Sequence, residues 1–443
     1  MKTQPHELPR SLRHHAIVAL LCGVVSYLVL FMLKSSVLFG GASDAALDVV
    51  MRSQANAQIA RHGPPLTLLD VDDADYARLG RPSVFPRDRL ALLLARVAAA
   101  KAALVVVDVD VSWPDAPERT QALHAALAKL RDVKGPPILL VREALSTGED
   151  SKLYLPKSDF DDLTGAGSNL RFVVADLMTS EDGIVRRVRP WQTVCEAKRT
   201  HVLAGVQLAA WSAYGAQNAA AALDALDARL NARSRACAGE RMADPLHHVP
   251  VTLAGPSGTR QFIDKPGSDR VVLRFGWEGS PRFVRDARGA IAFAVVPATA
   301  LLDPRQTPDD TLLKNRIVVV GISAAAARDS HATPLGVMPG DMLVANLLYT
   351  SLGEGPPSEA GLPVGLVIAL AMSAITFGLW VVSRRIFDLN VVLVREGLKI
   401  VLTGFWAILA WLFLARGAVL DYAFPQYVVI TYLAYSEGFD NLF

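Results

Sequence analysis

Two kinds of apolar pattern alternate along the chain. The first kind is long and unbroken. Ala16 to Leu33 carries no charge and continues past Lys34 to about Phe39. At a rise of about 1.5 Å per residue this run covers most of a bilayer core, and Lys34 can snorkel to its edge. Leu362 to Val382 is a second run, closed by Ser383, Arg384 and Arg385. Ile400 to Ala415 is a third, closed by Arg416, and Tyr422 to Tyr435 is a shorter fourth that contains Pro425 and Gln426. The pattern predicts four membrane helices at 16–39, 362–382, 400–415 and 422–435. A cleaved signal peptide competes for the first run, because Gly40, Gly41, Ala42 and Ser43 follow it. The run exceeds the roughly 7–15 apolar residues of such peptides, which favours an uncleaved anchor.

The second kind of pattern fills 40–361, where short apolar runs alternate with helically spaced ones. Leu66–Val71, Leu104–Val109, Pro137–Val141, Arg171–Ala175, Val185–Val188 and Arg316–Gly321 read as strands. Leu90, Leu93, Leu94, Val97 and Ala98 follow Pro86 at helical spacing, and Leu123, Leu127 and Leu130 mark a second helix. Val202, Val206, Ala209 and Ala210 mark another, and Met338–Leu352 a last one opened by Pro339 and Gly340. The alanine-rich stretch 216–232 reads as an exposed helix, and 233–270 as an inserted loop region. Strands apolar on both faces and separated by helices predict an α/β fold, a mostly parallel sheet with helices on both faces.

Charge fixes the expected orientation. Lys2, Arg10 and Arg13 precede the first run, and Arg384, Arg385, Arg395 and Lys399 outnumber Asp388 and Glu396 in the loop 383–399. Basic flanks stay in the cytoplasm. Residues 1–15, 383–399 and the tail 436–443 are therefore expected inside, and 40–361 in the periplasm. Over 443 residues the chain is 51% hydrophobic and 20% charged, which excludes both an all-membrane transporter and a disordered chain. Its 45 basic and 43 acidic side chains give no global case for nucleic-acid binding.

Candidate chemistry gathers at strand ends. Asp70 and Asp72 follow one strand, Asp108 and Asp110 another, and Asp329 and His331 a third. In an open α/β sheet the crevice beyond the strands' carboxyl ends is the usual ligand site. Aspartates also cap helices and fix turns at such places, and that reading needs no ligand. No G-x-S-x-G, H-E-x-x-H or Walker A pattern occurs, and Gly165-Ala166-Gly167 is incomplete as a dinucleotide loop. No catalytic residue, metal site or cofactor is expected, and the chain does not read as an enzyme. Cys195 and Cys237 share the exported region, so an oxidising periplasm allows a disulfide; two separate thiols is the other reading. On the second run Gly365, Ala369 and Ser373 put small residues near one face, and Trp406 and Trp411 stand on the third. Small residues allow close packing within the chain or against another subunit.

Four stretches in order resemble the CHASE2 family of extracytoplasmic sensory domains. They are Leu69-Asp70-Val71-Asp72-Asp73 with Phe85-Pro86-Arg87; Val105 to Asp110; Arg316 to Gly321; and Asp329 to Leu335 with Met338-Pro339-Gly340 and Ala345-Asn346. The chain has Val84 and Phe85 where the family usually has tryptophan, and Val344 where it has a polar residue. The resemblance implies an extracytoplasmic sensory domain followed by three membrane helices. Family members usually continue into a kinase or cyclase domain, whereas only Ser436–Phe443 follow the fourth run. The expected function is a sensory or signalling module in the bacterial inner membrane, multi-pass and with a large periplasmic domain, that acts through a separate membrane or periplasmic protein. The alternative is a structural or accessory subunit of an envelope complex, such as one for polysaccharide synthesis or export. The expected partners are the lipid bilayer, that protein and a second copy of the chain, not nucleic acid.

Overall fold

The computed structural model describes residues 10–33, 44–45, 47–49, 51–53, 55, 63–131, 135–146, 153–196, 198–237, 244–247, 249–256, 258–264, 270–278, 282–303, 310–353, 358–359, 362–386 and 418–419. The chain divides into two compact units. One is Met51–Pro356, and the other combines Met1–Val50 with Pro357–Phe443.

The larger unit is built on a seven-stranded sheet. Its strands are β1 (Leu66–Asp70), β2 (Leu104–Val107), β3 (Ile138–Val141), β4 (Leu170–Val173), β5 (Phe283–Arg285), β6 (Ile291–Pro297) and β7 (Ile317–Gly321). Their spatial order is β5-β6-β1-β7-β2-β3-β4. Every neighbouring pair is parallel except the edge pair β5–β6. β1, β2 and β7 are wholly buried, which is why they read as unbroken apolar runs. The last strand in sequence lies between the first two. Arg316 anchors it from below: its guanidinium donates to Thr67 Oγ1 (2.8 Å), Leu66 O (2.8 Å) and Ile291 O (2.6 Å), tying β7 to β1 and β6.

Alternate strand residues point to opposite faces. Leu69, Val105, Val107, Ile138, Leu140, Val318 and Val320 meet one helical layer, formed by α3 (Arg87–Ala99), α4 (Pro117–Arg131) and α7 (Ala298–Leu302). On the other face lie α5 (Val206–Ala213) and α8 (Gly340–Leu352). The unit also contains α2 (Asp73–Arg78) and α6 (Ala219–Asn231). The Phe85-Pro86-Arg87 stretch opens α3. The side chain of Arg87 is 2% exposed and donates to Val111 O, Trp113 O and Asp159 Oδ2, each at 2.7 Å, so it holds the segment after β2 against the helix layer.

Several expectations are corrected. Val202 lies in the strand Arg199–Ala204, which pairs with Trp191–Glu196; the helix begins only at Val206. Val185–Val188 is a strand, but it pairs with Leu177–Thr179 outside the large sheet. α6 is half-buried rather than exposed, because Leu223, Leu226 and Leu230 form its inner face. The loop assigned to 233–270 contains the hairpin Val251–Gly255 with Gly258–Phe262. Residues 330–339 fold as a hairpin before α8, so that helix starts at Gly340. Cys195 and Cys237 are bonded to each other, with Cα atoms 6.0 Å apart.

In the smaller unit, α1 (Arg10–Leu33) packs against α9 (Leu362–Ile386). α9 runs on through residues 384 and 385 to Ile386. Tyr27, Ala369 and Met372 form the contact. A Cβ at Gly365 would overlap the Tyr27 hydroxyl, so this glycine serves packing within the chain. Ser373 is buried and its Oγ donates to Ala369 O (2.7 Å). Over the described residues no helix is long and apolar enough to cross a membrane, so the expected four-span region has no support there. The runs 400–415 and 422–435, the tail 436–443, residues 387–399, Trp406 and Trp411 lie outside the described residues.

The disulfide spans a sequence separation of 42 residues. Closing such a loop in the unfolded chain is worth about 4 kcal/mol. Replacing both Cys195 and Cys237 by Ser is expected to lower unfolding stability by that order. Denaturant titration of the variant, beside the unmodified chain with and without reductant, checks it; three indistinguishable curves would show that the bond stabilises nothing.

Candidate functional site

β1 and β2 each place a carboxylate at their carboxyl ends, flanking the end of β7. Asp70 closes β1 and is paired across the ladder with Gly321, the last residue of β7. Asp108 follows β2, and its N–H donates to Val320 O (2.8 Å). By strand alternation Asp70, Gly321 and Asp108 all point to the face that carries α8. Two strand spacings set Asp70 and Asp108 about 10 Å apart. The gap is filled from above by Asp341, the second residue of α8 and 1% exposed. Any Cβ at Gly321 would overlap the Asp341 side chain, so glycine is required there for this approach. Gly340 plays the same part for Asp329, whose carboxylate occupies the space a Cβ would need.

The result is a group of acids held away from water. Asp341 Oδ1 accepts from the Met342 N–H (2.7 Å), while Oδ2 has no hydrogen-bond partner. Burial, reinforced by Asp70, Asp108 and Asp329, raises its pKa well above the usual carboxylate range. Burial likewise pushes Asp108 up to about 7, with Asp329 adding to the effect and His331 opposing it. Asp70 is pushed up to about 6 by burial, against the lowering effect of its Ser323 hydrogen bonds: Ser323 N–H and Oγ donate to its two oxygens at 3.0 and 2.8 Å. His331 Nε2 lies 2.8 Å from Asp329 Oδ1, and that bond raises the imidazole pKa.

Of the five aspartates and one histidine expected at this edge, the structure brings Asp70, Asp108, Asp329 and His331 together around Asp341. Two of the six take structural roles. Asp72 Oδ1 caps α2 by accepting from Asp75 N–H (2.8 Å). Asp110 Oδ1 accepts from Ser112 N–H (2.8 Å) in a local turn. Asp341 was missed because an acid in the first turn of a helix has a sufficient reason to be there.

Beside Asp70 opens a cavity of about 200 Å³. Asp70, Asp72, Phe275, Trp277, Phe293 and Arg282 line it, with Met342 of α8. Phe275 and Phe293 are stacked with ring centroids 4.2 Å apart. Arg282 reaches Asp72 Oδ2 at 3.9 Å. The wall formed by residues 274–277 hangs on Asn346, which is fully buried. Asn346 Oδ1 accepts from both Arg274 and Phe275 N–H (2.9 Å each), and its Nδ2 donates to Phe275 O (3.1 Å). Reading the sequence did not single out Phe275, Trp277 or Arg282, since nothing local marks an irregular segment as a wall.

A second group deserves naming as a potential metal holder. Asp244, His247 and Asp264 bring one ligand atom each within 4.8 Å of one another. Asp244 is already engaged, accepting from Trp191 Nε1 (3.2 Å) and Thr193 Oγ1 (2.9 Å).

Because the folded pKa of Asp70 and Asp108 lies above the unfolded value, the native state holds extra protons between about pH 4 and 7, and Asp341, raised in the same direction, adds to them. Their contribution to stability is complete below that window and is lost as pH rises through it. Asp341→Asn removes one buried charge and should be more stable than the unmodified chain at pH 8, by a margin that shrinks as the pH falls toward 4. Thermal unfolding of both proteins across this range tests it; a stability difference that does not change with pH would reject the assignment.

No curated protein and no solved structure matches the chain. The CHASE2 domain family does, over residues 20–383. The strand ends that carry the crevice, the Arg87 brace, the Gly321 gap and the Asn346 clamp all fall inside that span, and the chain belongs to the CHASE2 domain family.

Proposed function

We propose that the chain is a membrane-anchored sensory module that receives its signal at the crevice beyond β1, β7 and β2. It would pass that signal through apolar helices to a separate protein. The observation that carries the reading is Asp341, a buried carboxylate with an unpartnered oxygen, set between two further buried acids beside an open cavity. Such an arrangement works against folding stability and has no packing role that an asparagine could not fill. A site held at this cost responds strongly to whatever neutralises it, as an input site must. CHASE2 is a sensory domain family, which agrees with that use.

Anchoring rests on the apolar runs. On α1, Ile17, Leu21, Val25 and Met32 expose apolar side chains along one stripe, and Val367, Leu370 and Ile375 do so on α9. Surfaces of this kind suit lipid or an apolar partner. With the basic flanks they support a periplasmic 40–361 and a cytoplasmic 383–399 in an inner-membrane protein. No catalytic step is assigned to the chain.

Reporter fusions at Gly279 and Gly397 are expected to lie in opposite compartments, with Gly279 outside. The same compartment for both would overturn the anchoring scheme. Copurification from native membranes in mild detergent, after crosslinking in cells, is expected to retain a stoichiometric second protein. A monodisperse, partner-free chain would overturn the relay.

A further inference from the structure

The cavity beside Asp70 has a chemistry of its own, and its lining names a class of ligand. Two carboxylates, Asp70 and Asp72, face it against one guanidinium, that of Arg282. With its carboxylates ionised the lining therefore carries one uncompensated negative charge. Asp72 keeps one oxygen outside the α2 cap, and its nearest cation is Arg282 at 3.9 Å, longer than a hydrogen bond. The remaining wall is aromatic and aliphatic: Phe275, Trp277, Phe293, Val284, Val295 and Met342.

A hard metal ion fits this lining badly. Calcium takes about six to eight oxygen ligands at roughly 2.3–2.6 Å, and most of this wall offers carbon. An anion would face two carboxylates. An uncharged apolar molecule would bury those carboxylates without a partner, which costs free energy. A compact organic cation satisfies both halves of the wall. Its charge meets the carboxylates, and its alkyl surface and cationic face meet the aromatic rings. At about 30 Å³ per water-sized unit, 200 Å³ holds a ligand of roughly seven non-hydrogen atoms.

We propose that this cavity binds a small organic ammonium compound, its nitrogen against Asp70 and Asp72 and its alkyl groups against Trp277 and the stacked pair Phe275–Phe293. The proposal rests on the sensory reading of the crevice and supplies the class of its ligand. Asn346 sets the position of the aromatic wall through the backbone of Arg274 and Phe275. Binding would thus bear on Met342 at the start of α8, one residue from Asp341.

The test is calorimetric titration of the full chain with choline, with ethanolamine, and with the uncharged isostere of choline in which carbon replaces nitrogen. At least one ammonium probe is expected to bind, and the uncharged isostere about tenfold or more weaker than choline if choline is that probe. Trp277→Ala, on a half-buried side chain, should weaken binding about tenfold while the thermal transition stays intact. Asp70→Asn should weaken it at least as much. The isostere binding as tightly as choline, or binding unchanged in Trp277→Ala, would overturn the inference. So would the absence of heat from either ammonium probe at about 10 mM. If instead an uncharged or anionic compound binds and Trp277→Ala abolishes that binding, the ammonium class is wrong while the sensory reading stands. Failure of the membrane or copurification experiments would remove the relay and leave the cavity's ligand class untouched.

Discussion

The crevice depends on one placement, the hydrogen-bonding of β7 between β1 and β2. The chain lays down β1 and β2 early and delivers β7 some two hundred residues later. Until it arrives, β1 and β2 have no ladder between them, and Asp70 and Asp108 belong to different edges. Once in place, β7 spaces the two acids, and its terminal Gly321 leaves the gap that Asp341 enters. Arg316 makes the insertion specific, because its guanidinium bonds only if β1 and β6 lie where they do. A buried arginine without those acceptors would cost several kcal/mol.

Two other polar anchors divide the remaining work. Arg87 fastens the segment leaving β2 to the start of α3, and so fixes the direction in which the chain departs from Asp108. Asn346 fastens an irregular segment with no ladder of its own to α8. Each is a buried polar side chain with several hydrogen bonds in an apolar setting, where an unmade bond is expensive and geometry is therefore strict. The disulfide ties the strand Trp191–Glu196 to the segment following α6. It lies outside the large sheet and leaves the crevice to these anchors.

The acids are a different matter. Hydrogen bonds from Ser323 offset part of the cost at Asp70, and the Met342 N–H offsets part of it at Asp341. The remainder appears as raised pKa values at the ends of β1 and β2, on either side of β7, and at the start of α8. This concentration of uncompensated carboxylates is what sets the crevice apart as a place for function rather than for packing.

Much of the fold was legible in local pattern. β1, β2, β3 and β7 are short, apolar and β-branched because both sheet faces are covered, and that requirement is written in each strand by itself. The same holds for the inner faces of α3 and α4, which repeat with helical period. Asp70, Asp108, Asp329 and His331 were legible as strand-end residues, because parallel strands bring their carboxyl ends to one edge whatever their order. Their neighbourhood was not. Strand order decided that Gly321 stands between two acids, and only a glycine seen beside α8 explains why Asp341 fits. Val202 lies in a strand because a partner strand competes with helical spacing for it, and such pairing is non-local. Phe275 and Trp277 became part of a wall through Asn346, more than sixty residues away in sequence, and Arg282 joined it beside β6, where its carbonyl accepts from Val295 N–H. Periodicity reports which face of an element is buried; it carries no information about which distant segment buries it, and here that choice decides the chemistry.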